Sequence, residues 1–561
     1  MDLSRRRAPK RKDNRIILHF DYDCFYASVY ENRDPRLKAL PLGVKQKNIL
    51  ATCNYVARRR GVKKLMFITD AKRICPDLVI IEGEDLTPFR DVSKLLFGFL
   101  RGFSWCGKVE RLGFDEVFME LEDVTDIVDY NMFCLNRASL SESFFHLSKS
   151  DPENGFTCDM TKVAGCVFGS TPELGNLDDA SYVRLLLGSH LAFHLRMKLE
   201  EDFGFTASVG VSTNKLLSKL VGSVNKPRNQ TTLMSLTDTV VEEFMDAHSV
   251  RKVPGIGFKI SRTLESKYLA AQPGPDEADR ETSPLKVRDV RVHPDTAPSS
   301  LEELLGGPGS ERGVGERVWG LLHGVDDTEV KDASDIPSQI SIEDTFKGLE
   351  TMPQIENELR KISASLVRRM RTDLLTDDDT AEPGGQRWIA YPKTLRLSIR
   401  SWPADATPNF QRISKSQPLP NFIFNLKDTP ESIAERLTTE ILLPTTKKFY
   451  PANHKWNLQL MNVCVANMAA SGSEAGPGVG RDISVMFKRQ DDVLRQWKID
   501  TAIVEDEQPV SDDSPDEEEL GEFDAGDSWE DDEETARCPL CGHCIPPFAL
   551  AAHARYHHLG D

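Results

Sequence analysis

At 561 residues the chain is too long for one compact core, so roughly three or four domains are expected. Its 39% hydrophobic and 28% charged residues place it among soluble chains, and no apolar run is long enough to cross a membrane. The net charge of −18 argues against a nucleic-acid partner only until its distribution is seen: Glu505 to Glu534 holds 17 acids and no Lys or Arg, which leaves the rest of the chain near neutral and able to carry basic surfaces.

The chain begins with a basic cluster, "SRRRAPKRK", and no signal-peptide core. Residues 1–15 read as a disordered arm, or as a nuclear-import signal that would place the protein in the nucleus. "RIILHF" then has strand character, and "CFYASVYE" has helical spacing. Asp21 therefore falls at the C-terminal tip of a strand, among apolar and aromatic side chains, where a carboxylate needs a partner. "ATCNYVARRRGVKK" combines Thr52, Tyr55 and Arg58 at helical spacing. Tyr55 and Arg58, three apart, can grip one group, and the Arg fork suits a phosphate; a basic solvated helix is the plainer reading.

Two strand-like runs, Lys108 to Phe114 and Val117 to Leu121, flank Asp115 and Glu116. If Asp21 and this pair converge, three negative charges call for divalent cations between them, and two such ions suit phosphoryl transfer. Taken alone, either acid pair is more often a turn or a solvated edge. "SKSDPENGFTCDMTK" and "GSTPELGNLDD" interrupt the pattern around 148–179 as a surface insertion. "SVGVSTNKLLSKLVGSVNKPRNQ" follows, with Lys219 and Lys226 available to phosphates. In "VRKVPGIGFKISRTLE", Gly255 and Gly257 form the turn of a helix-hairpin-helix, whose backbone N–H groups can hold a DNA phosphate without reading sequence.

"AAQPGPDEADRETSP", 270–284, marks a break by its Pro and acid content. "ISIEDTFKG" opens another compact region, and "TLRLSIRSW" reads as one of its strands by period-2 alternation. "AASGSEAGPGVG" ends it as a flexible linker. Just beyond, "GRDISVMFKRQ" sets Ile483, Met486 and Phe487 at the spacing of a sliding-clamp peptide; an amphipathic segment without a partner is the alternative. The acidic stretch reads as a self-repelling disordered tail. Cys538, Cys541, His553 and His557 follow as C-x₂-C-x₁₁-H-x₃-H, a spacing that lets two thiolates and two helical imidazoles surround Zn²⁺. The other cysteines are scattered, as reduced thiols in cytosol or nucleus would be.

Taken in this order, the acid at a strand tip, the "FY" pair, "ATCNYVAR", "LGFDE", "NKP" and "PGIG" resemble the Y-family translesion DNA polymerases over roughly residues 15–470. "GVKKLM", "CPDLVIIEGEDLT" and "ERLGFDE" look like one branch of that family, most others carrying Ser-Ile in place of Gly113-Phe114. The resemblance implies an α+β multidomain right hand: a ferredoxin-like palm at 16–31 and 86–235, small fingers at 32–85, a helical thumb at 236–335 and an α/β little finger at 336–470. A linker with the acidic tail, 471–535, and a small ββα-type zinc finger, 536–561, complete the expected organisation.

The resemblance also implies roles. Asp21 and Asp115 would bind two Mg²⁺ or Mn²⁺ ions, Glu116 the catalytic one, and Tyr22 would lend its carbonyl, while Asp23 would serve local structure. Tyr26, supported by Phe25, would lie under the sugar and exclude a 2′-hydroxyl. Thr52, Tyr55, Arg58 and Lys226 would hold the triphosphate, and Gln46, Lys47, Ile49 and Ala51 would cover the nascent base pair. The expected function is low-fidelity, template-directed DNA synthesis from dNTPs on primer-template DNA, in translesion synthesis and repair. The C-terminal finger resembles the ubiquitin-binding finger of a Y-family member, with ubiquitin or a ubiquitinated sliding clamp as partner. A metal-dependent nuclease and a non-catalytic damage-site scaffold are the competing classes.

Overall fold

The computed structural model describes residues 9–12, 14–121, 127–169, 177–269, 284–307, 310–377, 385–402, 412–451, 455–471, 536–537 and 544–545. The apolar run at the start forms β1 (Ile17–Tyr22), buried along nearly its whole length. Cys24 then takes a left-handed backbone (φ 48°) and turns the chain into α1 (Phe25–Arg33). Such a conformation is rare for a residue with a Cβ and tends to occur at functional turns.

The next region is small and has its own core of Leu50, Cys53, Ala57, Val62, Ala71, Cys75 and Leu78. β2 (Leu42–Gln46) and β3 (Ile49–Cys53) form a hairpin, followed by α2 (Tyr55–Arg59) and α3 (Ile68–Ile74), and β4 (Val79–Glu82) pairs in parallel with β2. Helical spacing from Thr52 is not realised: the Asn54 side chain accepts from the Ala57 amide and so caps α2, which leaves Thr52 on β3.

After α4 (Thr87–Arg101) come β5 (Val109–Leu112), β6 (Glu116–Glu120), α5 (Ile127–Cys134), and a hairpin of β7 (Ser143–His146) and β8 (Gly155–Cys158). β9 (Cys166–Phe168), α6 (Ala180–Phe203), β10 (Ala207–Ser212), α7 (Lys215–Gly222) and β11 (Gln230–Leu233) complete the region. The six-stranded sheet runs β5-β6-β1-β10-β11-β9; β1 is antiparallel to β6 and β10, while β10, β11 and β9 are parallel. α6 covers one face, with Gly188 set against Ile16 and Val211, and α7 the other. A Cβ on Gly210 would collide with the Ser218 carbonyl, so α7 lies directly on the backbone of β10. The 148–179 stretch is therefore not wholly a surface insertion, because its β9 is a strand of this sheet.

Five helices follow: α8 (Asp238–Asp246), α9 (Phe258–Tyr268), α10 (Val287–Arg291), α11 (Pro298–Leu305) and α12 (Val314–Leu322). The turn into α9 carries Gly255 at φ 89°, its carbonyl accepting from Arg317 at 3.2 Å, and α9 starts just after Gly257. The next region holds β12 (Gln339–Leu349), α13 (Met352–Leu374), β13 (Leu375–Asp377), β14 (Gln386–Trp388), β15 (Ala390–Ser401), β16 (Arg412–Pro418), α14 (Pro430–Leu437), α15 (Leu443–Lys447) and β17 (Leu458–Ala470). Its main sheet is antiparallel in the order β12-β17-β15-β16 and packs one face on its own core.

The basic segment expected to be a free arm is docked where it is described. Arg11 pairs with Asp238 at 2.9 Å, and buried Arg15 donates to the Asp326 and Thr328 carbonyls. None of the eight cysteines from Cys24 to Cys464 is in a disulfide. Among the described residues no helix is long and apolar enough to cross a membrane. Residues 475–561 form a separate unit, in which β18 (Ala536–Arg537) pairs with β19 (Cys544–Ile545). Ile483, Met486, Phe487, the acidic stretch, and Cys538, Cys541, His553 and His557 lie outside the described residues.

Candidate active site

Strand register brings the acids together. Asp21 stands opposite Glu116 in the β1–β6 ladder, and the Tyr22 amide donates to the Asp115 carbonyl at 2.8 Å. All three acids thus reach one end of the sheet and line a cavity of about 530 Å³ that also touches Phe25, Tyr26, Ala51, Thr52, Tyr55, Arg58 and Lys226. Lys64 and Ser223 line it as well; neither stood out in the sequence, where Lys64 is one more cation in "RRRGVKK".

The electrostatics of the acids differ. Burial, then the charges of Asp21 and Glu116, push the Asp115 carboxyl up to about 6. Burial also pushes Glu116 up, but its neighbours His19 and Lys219 outweigh this and bring it down to about 2. Burial holds His19 below its ordinary value, and the Lys219 ammonium pairs with Glu116. Lys226 pairs in the same way with Asp21.

Asp23 belongs to a different class. It is 4% exposed, and both carboxylate oxygens are committed, one to the Ser208 hydroxyl at 2.7 Å and the other to the Arg228 amide at 2.8 Å. It ties the turn after β1 to β10 and to the loop that carries Lys226.

On the opposite wall the Tyr26 ring stacks on Phe89, centroids 4.2 Å apart, with buried Phe25 behind it. Arg58 lies over the Tyr55 ring at 4.7 Å and donates from Nε to the Cys53 carbonyl at 3.1 Å, so its remaining donors are pre-aimed. Gln46, Lys47 and Ile49 do not line the cavity. Gln46 donates to the Gly83 carbonyl, Ile49 bridges to Phe67, and Lys47, at the hairpin tip, pairs with Asp344 of β12. Gly255 and Gly257 sit apart in the helical region.

Among the described residues no three acids, histidines or cysteines are gathered closely enough to hold a metal ion as they stand. Asp21 and Glu116 are each engaged by a lysine. The donor set still fits a hard divalent cation: besides Asp23, whose oxygens are already committed, three carboxylates line the cavity, burial and then the charges of its neighbours raise one of them, and two ammonium groups already stand against the other two.

Residues 20–223 match the impB/mucB/samB family, and residues 337–477 match that family's C-terminal domain. Together these matches take in more than half of the chain, which belongs to this family, the Y-family polymerases. Among its relatives, DNA polymerase iota of Homo sapiens is 32% identical over 457 residues, 82% of this chain and 53% of that protein. DNA polymerase iota of Drosophila melanogaster is 34% identical over 374 residues, covering 66% and 44%. DNA polymerase IV of Ectopseudomonas mendocina is 27% identical over 356 residues, covering 63% and 76%. The chain spans about half the length of the iota relatives.

Proposed function

We propose that the chain is a template-directed DNA polymerase of low fidelity, acting on primer-template DNA with dNTPs in translesion synthesis and repair. One observation carries this reading: a single cavity combines Asp21, Asp115 and Glu116 with a flat tyrosine ring and an arm of Tyr55, Arg58 and Lys226. A nuclease has no use for the ring, and a scaffold has none for the acids.

Asp21, Asp115 and the Tyr22 carbonyl would hold two Mg²⁺ or Mn²⁺ ions, with Glu116 on the catalytic one. Bound there, such ions supply activation of the primer 3′-hydroxyl and neutralisation of charge on the triphosphate. Arg58, Tyr55, Thr52 and Lys226 fix the phosphates, so that catalysis is positioning in a preorganised field. Tyr26, held flat by Phe89 and backed by Phe25, leaves no room for a 2′-hydroxyl. Ala51 is the cavity's contribution to the space over the nascent base pair, with Gln46, Lys47 and Ile49 on the hairpin around it. Gly255 and Gly257 offer a backbone turn to a DNA phosphate.

The C-terminal unit would bind Zn²⁺ through Cys538, Cys541, His553 and His557. The paired strands β18 and β19, which bracket both cysteines, support this. Ubiquitin, a sliding clamp reached through Ile483, Met486 and Phe487, and the nucleus are the proposed partners and place.

Primer extension on undamaged and lesion-bearing templates tests the central reading. Wild-type chain should extend and Asp115→Ala should not; equal extension by both overturns it. Zinc content of the full chain beside Cys541→Ala tests the finger, and no difference discards it.

A further inference from the structure

Helix α7 and the loop after it deliver three ammonium groups to three acids of the sheet: Lys215 to Glu110, Lys219 to Glu116 and Lys226 to Asp21. The first pair is a fixture. Lys215 stands 2.7 Å from Glu110 and also donates to the Glu329 carbonyl, while Glu110 accepts from the Lys331 amide. Lys219 is differently placed. It reaches Glu116 without lining the nucleotide cavity and instead lines a neighbouring cavity of about 690 Å³ between β5, β6, α7 and the helical region. Glu110, Glu316, Asp326 and Asp327 stand on the walls of that second space, together with Lys10, Lys215 and Arg317.

The ammonium therefore has two seats within reach of one side chain. One is the Glu116 carboxylate; the other is the second cavity, where Glu316, Asp326 and Asp327 stand among Lys10, Lys215 and Arg317. A divalent ion arriving at Glu116 repels a cation already bound there, and the lysine stem is long and flexible enough to leave. His19 also stands beside Glu116, with Nε2 at 3.7 Å from Oε2.

We propose that Lys219 is a two-seat counter-ion: it neutralises Glu116 while the site holds no divalent cation and withdraws into the neighbouring cavity when one binds. The inference rests on the metal-binding reading of Asp21, Asp115 and Glu116. Its consequence is that Lys219 sets the metal concentration at which the site fills.

The test titrates Mn²⁺ into the full chain without DNA or nucleotide and follows unbound Mn²⁺ by electron paramagnetic resonance. Lys219→Gln should bind the Asp115-dependent Mn²⁺ more tightly, by on the order of fivefold, the scale of a partly exposed ion pair. Lys219→Arg should titrate like wild type. Thermal unfolding adds a second readout: Lys219→Gln should melt below wild type without divalent ions and rejoin it with Mn²⁺. A melting deficit equal with and without Mn²⁺ assigns Lys219 to plain structure and overturns the proposal, as does unchanged or weaker Mn²⁺ binding by Lys219→Gln. If wild-type chain binds no Mn²⁺ that Asp115→Ala abolishes, the metal reading itself fails and takes this inference with it.

Discussion

The two large sheets place their polar chemistry in different positions. In the N-terminal sheet, β1 and β10 are buried almost throughout because α6 and α7 cover both faces. What remains open is an end, and that is where Asp21, Asp115 and Glu116 emerge. In the sheet of residues 339–470, β12 alternates exposed and shielded positions, since helices cover a single face. Its other face is carpeted by polar side chains: Arg396 over Gln339 and Cys464, Arg412 on Glu343 at 2.9 Å, and Ser414 on Ser398. A doubly covered sheet concentrates charge at a point, as a reaction needs. A singly covered one spreads it over an area, as a polyanion's backbone needs.

Variants at the point should produce large losses of rate, and variants on the face only modest losses of affinity. Asp115→Ala or Glu116→Ala should lower primer extension by about 10³-fold or more, with duplex binding retained in a gel-shift assay. Binding lost in step with rate would break the contrast. Asp115→Asn should also melt higher than wild type in the absence of divalent ions. Its folded-state carboxyl is raised to about 6, so ionisation costs stability above the unfolded pKa of about 3.9 and the full cost is reached above pH 6. An Asn that melts lower would show that this acid is not held against its neighbours' repulsion.

Asp23→Ala sharpens the same comparison within one turn. It strands a buried hydroxyl and a part-buried amide, so a loss of about 2 kcal/mol in urea unfolding is expected. Tyr26→Ala should raise ribonucleotide over deoxyribonucleotide incorporation by roughly tenfold or more, the scale of a removed steric clash. Unchanged sugar selectivity would put the barrier elsewhere. The smallest effects belong to the open face: Arg396→Ala or Arg412→Ala should weaken duplex binding a few-fold and reduce the slope of log affinity against log salt by about one each.

Local order was legible in the sequence. An apolar run ending in Asp21 gave the strand tip, "PGIG" gave the turn before α9, and period-2 alternation gave β15. Long-range partnerships were not, because no local spacing encodes them. Asp23 looks the equal of Asp21 until Ser208 and Arg228, some two hundred residues away, take up both of its oxygens. No local spacing foretells that Lys47, at its hairpin tip, meets Asp344 of β12. Thr52 fits a helical pattern that the Asn54 cap cuts short. Docking of Arg11 and Arg15 depends on acids and carbonyls more than two hundred positions onward.

β9 has a bearing on how the protein behaves at high concentration. A sheet's outermost strand presents unpaired N–H and C=O groups to any passing chain, and proteins blunt that hazard by making the last strand very short. Here the row next to β11 is closed by three residues, Cys166–Phe168, which the chain enters and leaves through Gly165 and Gly169, both at positive φ. Trimming the excursion that contains them, an obvious economy on paper, would strip the cover from β11 and offer a ready template for aggregation.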